Sequence, residues 1–245
     1  MIQFDEQLQI FVPSLVSGDG YYAGFVTKAF GDSMHVNNVV AALKRFEMPY
    51  KTLVIPEQIH SVNIETYDKE NGDEIEKIPD TDAVVTKQRG VVLIVRTADC
   101  IPMIVCDKKR GIIGISHQGW RGSLKQLPKK LIGQMQELGS EPADIVVGVG
   151  PSIGACCYDV DDDRYYTFLS ELNGYSEKIF HIRGGKRYLD LTKLTYLYLV
   201  ESGVKKEHID FFPFCTQCDK ERFFSFRRKA GKDYEEMFSF ILMRS

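Results

Sequence analysis

Three short stretches of the chain gather the side chains best suited to chemistry: Gln58-Ile59-His60-Ser61, Thr97-Ala98-Asp99-Cys100 and His117-Gln118-Gly119-Trp120-Arg121-Gly122. Each is a polar cluster that closes an apolar run. Groups placed there sit on a backbone fixed by a strand, yet stay accessible through the loop that follows. Two imidazoles and a thiolate, from His60, His117 and Cys100, form a borderline-soft donor set suited to zinc. Three protein ligands leave the fourth tetrahedral position open, where a water would be acidified to a pKa of about 7. Asp99 and Gln58 lie beside these ligands and are candidates for supporting them or for moving protons. The spacing between the stretches is long and is not diagnostic of zinc by itself. A strand-end histidine also serves commonly as a hydrogen-bonded structural residue. The other histidines, His35, His181 and His208, sit in polar surroundings without a partner pattern and read as surface residues.

The elements that must carry these groups follow from hydrophobic periodicity. Thr52 to His60 reads as a strand running into a polar end. Ala83 to Thr86 and Val91 to Val95 supply two more, joined by a glycine-containing turn, and IPMIVCD with GIIGISH forms a hairpin around Lys108-Lys109-Arg110. Near-continuous β-branched runs of this kind predict strands buried on both faces. After Gly122, apolar residues at Leu124, Leu127, Leu131, Met135 and Leu138 define one stripe of a helix ending at Gly139, with Ser123 as its N-cap and Pro128 in its first turns. IVVGVGPSIG reads as a buried strand and tight turn. DLTKLTYLYLVESGV reads as a helix capped by Asp190 and stopped at Gly203. Strands alternate with helices while hairpins are also present. That combination predicts an α/β (α+β) fold, a mixed β-sheet sandwich flanked by helices. No repeat or Pro/Gly/Ser-rich linker divides residues 1–245, so one catalytic domain is expected.

Composition narrows the function. The net charge of −3 argues against bulk electrostatic binding to nucleic acid or anionic membrane, which leaves small molecules as the better partners. Asp5 and Glu6 stand where a secretory signal would carry basic residues, and no apolar run approaches the length of a membrane span, so a cytoplasmic protein is expected. In that compartment the six cysteines are thiols, ligands or nucleophiles before they are disulfides. Cys215-Thr-Gln-Cys218, with no second pair nearby in sequence, reads as an inert thiol pair. Cys156 and Cys157 are adjacent and bridge each other only with strain. Cys106 follows a β run and reads as packing.

QIHS, TADCIPMIVCD, ISHQGWRGS, GPSIGACCYDV and CTQCDKERFFSFRRKAGK occur in this order across roughly residues 20–243. As a set they resemble the YfiH-like family, the laccase-domain-containing purine nucleoside phosphorylases. The resemblance implies the YfiH-like fold and a zinc site made by the histidine of QxH, the cysteine of ADC and the histidine of HxGWRG, here His60, Cys100 and His117. It also implies phosphorolysis of adenosine, inosine, guanosine and 5′-methylthioadenosine, and hydrolytic deamination of adenosine. Phosphorolysis needs an anion clamp, and Arg121, Arg227 and Arg228 are the candidates because guanidinium forks match phosphate oxygens. For the Arg227–Arg228 pair a solvated basic turn is an equal reading. Phe223, Phe224 and Phe226 read as core or cavity wall, with Phe223 or Phe224 able to stack on a purine, and Trp120 shapes the pocket beside a ligand. Three features depart from the family pattern, the first being that the Gly-Gly-Val-Ser and Leu-Asn-type loop is shortened to KAFGDSMHV. Asn37-Asn38 stands where members usually carry Asn-Arg, which removes an anion contact, and Ala230-Gly231-Lys232 replaces Thr-Gly-Arg, which keeps charge but loses the bidentate fork.

Two other chemistries fit parts of the same set. The family has carried the label of a multicopper polyphenol oxidase; two histidines and a cysteine are blue-copper ligands, with Met103 conceivable as axial donor, so copper is a possible alternative to zinc. That reading also requires a histidine-rich cluster for further coppers, and the remaining histidines are unpaired in sequence. A cysteine hydrolase would use Cys100 as nucleophile and His117 as base.

Overall fold

The computed structural model describes residues 1–69, 72–172 and 174–245. A seven-stranded sheet is ordered Ile2–Asp5, Ile10–Pro13, Tyr21–Val26, Met237–Met243, Val91–Thr97, Thr52–Pro56 and Ile75–Ile78. A six-stranded sheet is ordered Ile209–Phe211, Val146–Val149, Ile101–Asp107, Ile112–Gln118, Ala83–Thr86 and Ile64–Thr66. Both are mixed: in the larger sheet Thr52–Pro56 runs parallel and Met237–Met243 antiparallel to Val91–Thr97, and in the smaller Ile209–Phe211 runs parallel and Ile101–Asp107 antiparallel to Val146–Val149. Successive side chains of a strand point to opposite faces, and the core divides accordingly. Ile104, Cys106, Ile113 and Ile115 pack with Val92, Ile94 and Phe240 of the larger sheet. Their neighbours Met103, Val105 and Ile112 pack with Leu131, Met135, Leu194 and Tyr198 of two helices. The six-stranded sheet is therefore the middle layer, and it is buried on both faces as its β-branched runs predict. Burying each such aliphatic side chain stabilises by about 2 kcal/mol, so these strands have no favourable position at the surface.

The predicted hairpin is present, with Asp107 opposite Ile112 and Ile101 opposite Gln118. Ala83–Thr86 and Val91–Thr97 are both strands, but the turn at Gly90 carries the chain from one sheet to the other. The helix after His117 is broken in two, Trp120–Leu124 and Leu127–Glu137. Ser123 is consequently inside the last turn of the short helix and is not a cap. Pro128 supplies the reason: its ring would collide with the carbonyl of Leu124 in a continuous helix, whereas in the first turn of a new one it fits. Asp190 caps the helix Leu191–Glu201 by accepting from the Lys193 amide at 2.7 Å, as expected. A helix at Asp162–Glu171 and a small three-stranded sheet, Asp159–Val160, Lys186–Leu189 and Phe180–Arg183, complete the wall above the site. Among the described residues no helix is long and apolar enough to cross a membrane.

Candidate metal centre and active site

The three stretches converge where the two sheets meet. His60 lies beyond the end of strand Thr52–Pro56, in the larger sheet. Cys100 sits in the short crossing between Val91–Thr97 of that sheet and Ile101–Asp107 of the other, and His117 is in the last turn-facing part of strand Ile112–Gln118. Their ligand atoms all lie within 4.8 Å of one another. The Cys100 Sγ is 3.9 Å from His60 Nε2, and the two imidazole rings meet edge to face at 4.7 Å. Two backbone positions hold this convergence in the left-handed region that costs energy for residues other than glycine: His60 at φ 60° and Asp99 at φ 85°.

Asp82 organises the cluster, although no sequence signal singles it out beyond its place at the head of a buried strand. Its carboxylate is fully buried and accepts from the amides of Ile59, His60 and Ser61 at 3.2, 3.1 and 2.6 Å, and from the Ser61 hydroxyl at 2.7 Å. The same carboxylate is 2.8 Å from His117 Nδ1. A carboxylate held ionised can only accept, so Nδ1 carries the proton and Nε2 is left to face the cluster. Burial works against ionisation of Asp82, but the hydrogen bonds from His117 and Ser61 outweigh it and hold the carboxyl below its usual range. Burial likewise opposes the thiolate of Cys100, yet the charge of His117 and contacts from both histidines bring it down to about 7. His117 shows the converse: burial lowers it, but Cys100 and Asp82 push it up to about 10. Without an ion the cluster is thus a thiolate beside an imidazolium. Two nitrogens and one sulfur at this spacing, with an outer carboxylate fixing one ring, are donors that fit zinc.

The cluster opens into a cavity of about 520 Å³. Of the residues expected there, Gln58, Asp99, Arg121, Trp120 and Arg227 line it. The polar atoms of three of them are already engaged. Gln58 exchanges both ends of its amide with the Arg96 backbone at 2.7 and 2.8 Å. Asp99 accepts from Thr216, Ser225 and the Arg227 amide at 2.6, 2.9 and 2.7 Å. Arg227 is paired with Asp159. Arg228 does not line the cavity: its guanidinium donates to the carbonyls of Phe223, Thr216 and Gln217, so it clasps its own loop in place of the expected anion contact. Phe224 also lies outside, packed against the core with its amide on Met237 Sδ, and Phe223 is fully buried. Phe226 and Tyr234, in edge-to-face contact at 4.9 Å, face the cavity along with Trp120 and Tyr158. Arg96 and Arg164 line it too, and each keeps a buried Nε with no hydrogen-bond partner. Arg121 and Arg164 lie over the Trp120 ring at 4.4 and 4.6 Å. Glu236 completes the wall, and burial raises its carboxyl above the usual range against the pull of Arg96 and His117.

Met103 is fully buried and its sulfur accepts from Gln118 Nε2 at 3.3 Å; it does not line the cavity, so it is no axial ligand. His35 and His181 are exposed as expected, whereas His208 is half-buried with an unpartnered Nδ1. Cys106 is fully buried packing, its thiol pushed up to about 12 by that burial. The reading of Cys215 and Cys218 as an isolated pair is overturned. Cys156 and Cys157 come alongside them, and all four sulfurs lie within 4.8 Å of one another. The missing pair was 58 residues away in sequence and is delivered by a parallel bridge of Ser152 to Cys215.

The sequence profile of the family described as multi-copper polyphenol oxidoreductase laccase matches residues 22–244. The chain is 36% identical over 166 residues to the purine nucleoside phosphorylase YlmD of Bacillus subtilis, spanning 67% of this chain and 59% of that protein. It is 33% identical over 182 residues to the adenosine deaminase RL5 of an unknown prokaryotic organism, covering 72% of this chain and 70% of the relative. The crystal structure of YlmD from Geobacillus stearothermophilus superposes with a TM-score of 0.87 at 28% identity, over 100% of this chain and 99% of that one. With a matched profile over nearly its whole length and a shared fold, the chain belongs to the laccase-domain family of YfiH/YlmD-like purine nucleoside phosphorylases.

Proposed function

We propose that the chain is a zinc-dependent purine nucleoside phosphorylase acting on adenosine, inosine, guanosine and 5′-methylthioadenosine, with a second activity that deaminates adenosine. The observation that carries this reading is the convergence of His60, Cys100 and His117 within the reach of one ion on the wall of a nucleoside-sized cavity. Zinc held there supplies a Lewis acid for a substrate oxygen and lowers the pKa of water in the open position. The chain's own residues account for the rest. In phosphorolysis a phosphate oxygen forms a bond to C1′ as the N-glycosidic bond breaks, and positive charge builds on the ribose ring. Arg121, Arg164 and Arg96 offer the guanidinium donors for phosphate, two of them with a buried Nε awaiting a partner. One ring face of the edge-to-face pair Phe226 and Tyr234 offers an apolar surface on which the purine can stack. Glu236, held protonated to a higher pH by burial, is placed to give a proton to the departing base. Asp99 and Gln58 act by holding the backbone of the ligand loops, since their side chains are taken up by hydrogen bonds. Asn38 donates to the Asp32 carbonyl and does not line the cavity, so phosphate is held from the Arg164 side.

The test is an assay of the zinc-loaded protein on adenosine with and without phosphate, following free adenine, ribose 1-phosphate and ammonia. Failure to form ribose 1-phosphate above a Cys100→Ala control defeats the phosphorylase reading. A second reading is favoured by one observation, the row of Cys100, His117 and Asp82, which has the order of a nucleophile, a base and an orienting carboxylate. A cysteine hydrolase would keep its activity in a chelator and lose it to iodoacetamide; the zinc enzyme loses activity to the chelator. Oxygen consumption with a phenol and copper would expose oxidase chemistry.

A further inference from the structure

We propose that this protein carries a second metal site, a structural zinc bound by Cys156, Cys157, Cys215 and Cys218, behind the wall of the active cavity. The geometry is that of a single ion. Four sulfurs at tetrahedral corners about 2.3 Å from zinc are about 3.8 Å apart. Cys156 and Cys218 are 3.7 Å apart and Cys157 and Cys218 3.3 Å, with every pair inside 4.8 Å. All six cysteines are free, so no disulfide accounts for the gathering. Four thiolates select zinc or iron over hard cations, and sulfurs this close leave no room between them for a multi-iron cluster.

The backbone is built to present them. Cys156 and Cys157 ride a tight turn in which the amides of Cys157 and Tyr158 both donate to the Gly154 carbonyl at 3.0 Å. Cys215 and Cys218 ride another, closed by the Asp219 amide on the Cys215 carbonyl at 3.0 Å. The Gly154 amide donates to Cys215 Sγ at 3.2 Å, the kind of N–H···S contact that offsets charge on a metal-bound thiolate. Cys215 is buried, Cys157 half-buried, and Cys156 and Cys218 exposed, so an ion can enter from solvent.

The site has a task in the fold. One turn leads directly into Tyr158 and the Asp159 that pairs with Arg227; the other leads into the loop carrying Thr216, Ser225, Phe226 and Arg227. Those residues hold Asp99, next to the ligand Cys100, or face the cavity. Among the described residues this loop has little regular structure between Phe211 and Met237. A metal at its root would fix it against the 150–158 loop without adding a covalent bond.

This proposal stands whether or not the catalytic reading holds. The test uses the full-length Cys100→Ala protein, in which the first ligand set is broken, purified under reducing conditions without added metal and analysed for zinc per chain. We expect one zinc retained, lost in the Cys100→Ala, Cys156→Ser, Cys218→Ser triple variant. Cobalt substituted into the Cys100→Ala protein should show the strong sulfur-to-metal charge-transfer absorption of four thiolates. Metal-free protein whose exposed thiols react freely with a thiol reagent would overturn the site, as would loss of two thiols to a disulfide. If the triple variant is insoluble, the cobalt spectrum and zinc count of the Cys100→Ala protein decide alone.

Discussion

At the scale of single residues, the buried carboxylate of Asp82 organises the candidate centre, because one oxygen pair ties the His60 loop to the His117 ring. Asp82→Asn keeps the size but replaces two acceptors by one acceptor and one donor, and the Asn amide then faces three backbone N–H groups. Zinc affinity should fall about 10–100-fold, measured by competition with a chromophoric chelator; an unchanged affinity would remove Asp82 from the positioning role. Gly119 is a second dependency. A Cβ there would stand 2.7 Å from His60 Cδ2 and 3.3 Å from Cys100 Sγ, so Gly119→Ala must push one ligand aside. The variant should keep its far-UV circular dichroism and lose bound zinc at the His60 centre. The three candidate ligands stand out in the sequence because each closes an apolar run, and the structure brings them within reach of one another. Asp82 does not stand out, since an aspartate at a strand head is also an ordinary turn residue and only the fold reveals five donors around it.

Among the elements, those with strong periodicity were readable and those fixed by tertiary context were not. The hairpin of Ile101–Asp107 with Ile112–Gln118 and the helix Leu191–Glu201 follow directly from their patterns and caps. The break between Trp120–Leu124 and Leu127–Glu137 follows from Pro128, whose clash with Leu124 outranks the apolar stripe that crosses it. Helix Asp162–Glu171 escaped because it buries only Phe168 fully and so carries little stripe, though its Asp161 cap was a usable sign. The clustering of cysteines escaped because contacts between 156–157 and 215–218 have no local signature. The Asp190 cap permits a quantitative check. Asp190→Ala removes the acceptor for the Lys193 amide and should cost about 1 kcal/mol. In a chain of this length that corresponds to a Tm lower by about 2–4 °C. A shift under half a degree would show that packing of Leu194, Tyr198 and Leu199, and not the cap, holds the helix end.

For the molecule as a whole, the centre sits on the seam of the two sheets, so the state of the seam is coupled to the stability of the fold. In the metal-free protein the buried pair of Cys100 and His117 provides that coupling, and its pH dependence has a definite sign. The Cys100 thiol is brought from 9.0 to about 7, so its contribution is complete above pH 9.0 and is lost as pH falls through about 7. His117 is pushed up from 6.5 to about 10, so its contribution is complete below pH 6.5 and is lost as pH rises through about 10. From about pH 7 to 9.0 the two slopes cancel and metal-free stability should be nearly flat; it should fall between pH 9.0 and about 10, where only the His117 contribution still changes, and rise slightly from about 7 down to 6.5. On the proposed reading, zinc would replace the proton of His117 as the partner of the thiolate. At pH 8, where Cys100 is already largely a thiolate and His117 is still an imidazolium, zinc binding should release about one proton, from His117. Calorimetric titrations of zinc into the metal-free Cys156→Ser, Cys218→Ser protein, in buffers of different ionisation enthalpy, give that number directly. Release near zero would mean that His117 is neutral before the ion arrives and that the thiolate–imidazolium pair does not form at the seam.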